Sequence, residues 1–127
     1  MVDHFHGDDD WRRFMGGMSM VLPDAVVEDI PDDDPIFHVL YDIREKFQIP
    51  GEQYVATGRT CERCDQGGAI PHWRCIRDKD GRIAVAICYN MHLGDAWEWA
   101  NAGDYPEKFS GLAFRIVLNY ITYAMTR

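Results

Sequence analysis

Two stretches of this 127-residue chain gather side chains that bind ions or move protons. Near the start stands Asp3-His4-Phe5-His6-Gly7. Three-quarters along stands Asn90-Met91-His92-Leu93-Gly94-Asp95, with Glu98 close behind. Imidazole nitrogens and carboxylate oxygens are the usual N and O ligands of divalent metals. The same groups serve as ligands and bases in metal-assisted hydrolysis. His72 follows Pro71 at the opening of a β-prone run and can reach the same sheet edge. The candidate ligand-binding residues are therefore Asp3, His4, His6, His72, Asn90, His92, Asp95 and Glu98. Each also has an ordinary structural role open to it: Asp95 as a helix cap, Asn90 as a turn former, His4 and His6 as partly exposed polar residues. His-x-His spacing alone does not choose between the two readings.

The four cysteines are a separate question. Cys61-Glu62-Arg63-Cys64 is a C-x-x-C knuckle in a glycine-rich loop, whereas Cys75 and Cys88 lie on the two arms of an expected hairpin. A four-thiolate zinc site ordinarily takes two knuckles. Three states stay open: structural zinc on Cys61, Cys64, Cys75 and Cys88; a Cys61–Cys64 redox pair or disulfide; and free thiols with Cys88 buried. With Asp80-Gly81 as the turn, Cys75 faces Ala86 and Cys88 faces Trp73, which argues against a Cys75–Cys88 bridge. The chain has no G-x-S-x-G elbow, P-loop or G-x-G-x-x-G, so nucleophilic serine and nucleotide-binding readings lack a motif.

The positioning elements follow from periodicity. Val2 to Phe5 reads as the end of a strand. Trp11, Phe14, Met15 and Met18 recur at helical spacing, predicting a short helix capped by an aspartate of positions 8–10 and ending near Met20. Ala25-Val26-Val27 is β-prone. Asp34-Pro35 predicts a helix start, with Ile36, Phe37, Val39 and Leu40 on its buried side, and Gln53 to Thr57 reads as a strand. His72–Arg77 and Arg82–Tyr89 flank Asp78-Lys79-Asp80-Gly81, a strong hairpin signal. The second arm is continuously apolar, as in a strand buried on both faces within an α/β sheet. The helix from Phe109 to Ala124 is the clearest in the chain. Trp73, Trp97 and Trp99 read as core or rim aromatics, and Arg74 and Arg77 as ion-pair partners of an acidic surface.

Composition bounds the rest. The chain is 46% hydrophobic and 27% charged, with a formal net charge of −8. That is ordinary for one globular domain. Asp8-Asp9-Asp10 and Asp32-Asp33-Asp34 read as caps and solvated turns. An acidic surface repels phosphate backbones and offers anionic lipid no basic patch, which disfavours nucleic acid and membrane partners. No apolar stretch approaches the roughly 18 residues of a membrane span. Met1 to His6 lacks the character of a signal peptide, and the default expectation is a cytoplasmic protein.

Asp78-x-x-Gly81-Arg82, Ile87-Cys88-Tyr89-Asn90-Met91 and Gly94-Asp95-Ala96-Trp97-Glu98 carry a resemblance. So do Met1-Val2-Asp3-x-Phe5-His6-Gly7, Pro35-Ile36-Phe37-x-x-x-Tyr41 and Asn119-Tyr120-Ile121-x-Tyr123-Ala124-Met125. Over nearly its whole length the chain resembles the bacterial family catalogued as domain of unknown function 4159. The resemblance implies an α/β, flavodoxin-like three-layer sandwich akin to class I glutamine amidotransferases, with a mainly parallel sheet plus a β-hairpin. It implies no known activity. No cysteine here sits in the strand–helix elbow of the amidotransferase nucleophile, so that chemistry is not carried over. His92 stands where relatives tend to have aspartate.

Family members usually carry α/β units before the segment matching Met1. The chain is accordingly expected to be the carboxyl-terminal part of a longer module, with a sheet edge exposed to oligomerisation. Three functions remain in view: a ligand-binding or accessory module lined by Asp3, His4, His6, Asn90 and Asp95; a metal-dependent hydrolase using the same pocket; and a scaffold or assembly protein.

Overall fold

A computed structural model describes residues 1–127. Its sheet has three strands in the order β1-β2-β3: β1 Val27–Asp29, β2 His72–Arg77 and β3 Ile83–Tyr89. Both pairings are antiparallel. Around the sheet stand α1 Gly7–Val21, α2 Gln53–Thr57, α3 Leu93–Glu98 and α4 Glu107–Thr126, with short 3-10 turns at Pro35–Phe37 and Cys64–Gln66.

The hairpin forms where the Asp-Gly signal places it. Its register sets Cys75 opposite Ala86 and Trp73 opposite Cys88. Asp78 builds the turn, its carboxylate accepting the backbone N–H of Asp80 and of Arg82. Between the Ile76–Val85 and Arg77–Ile83 pairs Ala84 of β3 is left unpaired, an irregularity near the turn.

Side chains of β3 alternate between two cores. Ala86 and Cys88 face one with Cys75, Phe37, Leu112, Ile116 and Tyr120. Ile87 and Tyr89 face the other with Ile76, and there Trp11, Phe14 and Met18 of α1 pack against them. Burying one such large apolar side chain contributes about 1.5–3 kcal/mol. The larger core belongs to α4, whose Phe109, Leu112, Ala113, Ile116, Tyr120 and Tyr123 return to one face of the helix. Asn119 on α4 is fully buried because its side-chain amide brackets one residue of the opposite loop, accepting from Tyr41 N–H and donating to Tyr41 C=O.

This architecture overturns the flavodoxin-like, mainly parallel sheet implied by the family resemblance. Helices do cover both faces, which is why β3 reads as continuously apolar. Its only hydrogen-bonded strand partner is nevertheless the antiparallel β2. The parallel element shrinks to a single bridge between Val2 and Ile87, after which Phe5 bridges Met91 in the antiparallel sense. The segment expected to end a parallel strand instead turns at His4, whose φ is 71°.

Two further expectations fail locally. Gln53–Thr57 is a helix, because Gly58 in the left-handed region (φ 67°) closes it with an N–H to Tyr54 C=O. That is the ordinary glycine stop for a helix, and five residues are too few for periodicity to tell strand from helix. After Asp34-Pro35 only a 3-10 turn forms. Asp34 caps it by accepting from Ile36 N–H, but Leu40 lies 56% exposed and joins no buried face.

Candidate functional site

β3 ends at Tyr89, and the chain reverses on Asn90, which adopts φ 64°. A non-glycine residue there is uncommon, asparagine being among the types that tolerate it. Asn90 is fully buried and holds three segments together. Its Oδ1 accepts the backbone N–H of Gly7, while its Nδ2 donates to the carbonyls of Gly67 and Ile70. Gln48 completes the joint, its Nε2 donating to the carbonyls of Asn90 and Gly68. The opening loop, the 61–70 loop and the turn after β3 are thereby fixed to one another.

Asp3 ties the same region from the other side. Its Oδ2 accepts the backbone N–H of Leu93 at 2.9 Å and of Gly94 at 3.1 Å, the first two residues of α3. The capping role expected of Asp95 thus falls to a residue some ninety positions away. Asp95 lies in the first turn of α3 and accepts instead from Glu52 N–H.

His92 stands at the centre. Its Nδ1 lies 2.7 Å from Nδ1 of His4 and 3.9 Å from Asp95 Oδ2, and its Nε2 lies 2.8 Å from Glu62 Oε1. The rings of His4 and His6 flank it, with centroids 4.2 and 4.3 Å away. Ligand atoms of His6, Glu62 and His92 lie within 4.8 Å of one another, as do those of His4, His92 and Asp95. His6 is 4% exposed, and neither of its ring nitrogens has a hydrogen-bond partner. Burial, then the neighbouring His92, pushes its pKa down to about 4. It is therefore a neutral imidazole at pH 7 whose lone pair is unclaimed. Glu62 is about one-third exposed at its side chain and forms the open side of the cluster.

Arg63 braces the arrangement, donating to the His6 carbonyl at 3.2 Å and pairing with Asp10 at 2.9 Å. α1 begins at Gly7 with His6 in the cap position, so Asp8, Asp9 and Asp10 lie in its first turn and do not cap it, and Asp10 accepts the backbone N–H of His6. The tight course of the 61–68 loop demands glycine at Gly68, where a Cβ would fall 1.8 Å from the Glu62 carbonyl oxygen.

Of the residues singled out in the sequence, Asp3, His4, His6, Asn90, His92 and Asp95 converge. His72 does not join them; its ring stacks on Tyr89, with Arg74 3.5 Å from its Nδ1. Glu98 is exposed at the end of α3 with no hydrogen bond to the cluster. Glu62 and Gln48 were missed. Glu62 is hidden inside the C-x-x-C motif, where attention falls on the cysteines, and a lone glutamine carries no signal.

The cysteines do not assemble into a four-thiolate set. Cys61 and Cys64 form a disulfide, and Cys75 and Cys88 are buried in the α4-side core. Burial pushes the latter two thiols up to about 11 and about 12, so they remain protonated at neutral pH. Thiolates, not thiols, ligate metal.

A small antiparallel α/β domain with a partly buried imidazole–carboxylate cluster at one strand end is thus the class of molecule defined. The family described as "Domain of unknown function (DUF4159)" matches residues 1–125, and the chain belongs to it. No curated protein and no solved structure matches the chain.

Proposed function

We propose that this domain holds one divalent cation of the zinc class through His6, Glu62 and His92, as a centre for metal-assisted hydrolysis. The observation that carries the reading is His6. A buried imidazole with both nitrogens unpartnered forgoes hydrogen bonds normally required of a buried polar group. An ion ligated by one of them supplies the missing partner. Two imidazoles and one carboxylate match the protein ligand set of hydrolytic zinc sites, which leave a fourth position to water. A cation held there would supply the Lewis acidity that lowers the pKa of a bound water toward 7. Glu62, about one-third exposed at its side chain, is the member of this set nearest solvent.

Neighbouring groups suit supporting roles. With Nε2 on the ion, His92 keeps its proton on Nδ1 and donates it to His4, which fixes the ring, as metal-bound histidines generally require. The larger depressions, about 520 and 530 Å³, are lined by Asp32, Lys46 and Trp73 in one case and by Ala102, Tyr105 and Phe114 in the other. Neither borrows a residue from the cluster, whose dimensions suit an ion better than an organic ligand.

The test is metal content and turnover. Chain purified and equilibrated with Zn²⁺ or Mn²⁺ should retain about one ion per molecule, lost in His6→Ala and Glu62→Gln and kept in Cys75→Ser. Hydrolysis of activated carboxylic and phosphoric esters should depend on the retained ion. Sub-stoichiometric metal in the parent chain, or full retention in His6→Ala, sinks the ion site; retention of metal without ester turnover sinks the hydrolytic role.

A further inference from the structure

The disulfide encloses the two residues that reach into the cluster from the 61–70 loop. Between Cys61 and Cys64 lie only Glu62 and Arg63. Glu62 contacts His92 Nε2, and Arg63 contacts the His6 carbonyl and Asp10. Arg63 sits in the left-handed region at φ 50°, a conformation a non-glycine residue seldom holds without support. The bridge closes a small ring around this turn. Both half-cystines are partly exposed residues, so the bridge lies at the surface and not in the core.

We infer that Cys61–Cys64 is a thiol–disulfide exchange site that sets the affinity of the ion site through Glu62. The inference rests on the ion site proposed above. The co-reactant is a dithiol, small or protein-borne. Its thiolate attacks one sulfur of the bridge, forming a mixed disulfide and releasing the other cysteine as thiolate, which takes up a proton. The dithiol's second thiolate then displaces the remaining cysteine sulfur. Two electrons pass from the dithiol to the protein, the dithiol leaves as a disulfide, and two thiols stand at Cys61 and Cys64. With the ring open, the 61–64 turn gains conformational freedom, and Glu62 must be ordered anew when an ion binds. Ordering backbone opposes binding, so the oxidised protein is the tighter binder.

The experiment compares Zn²⁺ affinity, by competition with a chromophoric chelator, in three forms. These are the oxidised chain, the chain reduced under native conditions and capped with iodoacetamide, and Cys61→Ser/Cys64→Ser. The latter two carry no free thiol at these positions to act as a replacement ligand, and each checks the other should one fail to fold. Affinity at least tenfold weaker in the opened forms is expected, together with complete opening of the bridge by dithiothreitol in the folded protein. Zinc bound equally in all forms, or a bridge that resists the dithiol until the chain unfolds, overturns the coupling and leaves the ion site standing. No zinc in the oxidised chain removes the ion site and the coupling with it.

Discussion

The carboxylate of Asp3 caps Leu93 from a distance of ninety residues in sequence, accepting its backbone N–H at 2.9 Å. The bond, with its companion to Gly94, substitutes for the local side-chain cap that α3 lacks. Loss of a helix cap typically costs about 1 kcal/mol. Asp3→Ala should lower unfolding stability by about 1–2 kcal/mol in urea melts, whereas Asp95→Ala, whose bond is to Glu52 and not to α3, should leave α3 capped. Equal stability of Asp3→Ala and the parent chain would count against this account.

Asn90 offers a sharper case. Its fully buried side-chain amide donates to two carbonyls and accepts from Gly7. Asn90→Asp keeps the shape and the tolerance of positive φ but replaces two donated bonds with a carboxylate facing two carbonyls. A loss of about 3 kcal/mol or more is expected, since buried polar groups left unpaired cost about 1–3 kcal/mol each. A substitution tolerated within about 0.5 kcal/mol would mean that the three loops are not joined through this side chain.

The pH dependence should carry the mark of His6. Its pKa is near 4 in the folded chain, against about 6.5 when unfolded. Between those values the unfolded state binds the extra proton, so stability rises with pH across the window. This contribution is full above about pH 6.5 and is lost as pH falls toward 4, of order 3 kcal/mol in total. His38 acts oppositely: the Asp32 carbonyl and then the Asp42 carboxylate raise its pKa, so its contribution is present at low pH and fades as pH rises through the raised value. Chemical denaturation of His6→Gln from pH 4 to 7.5 separates the two. The variant should lack the acid-side loss, and an unchanged slope would show that His6 is not held neutral.

Arg77 joins Glu28 of β1 to Asp34, whose residue is 8% exposed. Arg77→Met leaves the Asp34 carboxylate without its guanidinium, and breaking a pair of this kind costs about 3 kcal/mol when one charge stays buried. Asp34→Asn in the Arg77→Met background should recover part of that loss, because the stranded charge is gone. Recovery of nothing would assign the cost to lost packing instead.

Much of this arrangement is legible in the residues themselves. The α4 face, the Asp-Gly hairpin and its cysteine register follow from period and turn chemistry, because each is decided locally. The meeting of the Asp3–His6 and Asn90–Asp95 loops was expected on the condition that their two strands run parallel, and of that pairing only the single Val2–Ile87 bridge is present. The parallel sheet did not survive because an apolar β3 reports only that both faces are covered, here by α1 and α4, and says nothing about the direction of its neighbours. Glu62 was out of reach for a different reason. Its place beside His92 depends on the course of an irregular loop held by Asn90, Gln48 and Gly68, and no periodicity encodes that.

His4 and His92 stand 88 residues apart in sequence yet touch through their ring nitrogens. Every pairing that builds the cluster spans the greater part of the chain or depends on one that does. His4 and His6 are therefore made long before His92, and the cluster assembles only when these distant segments meet. Contact between the His4 and His92 rings reports that the opening loop and the turn after β3 have found each other.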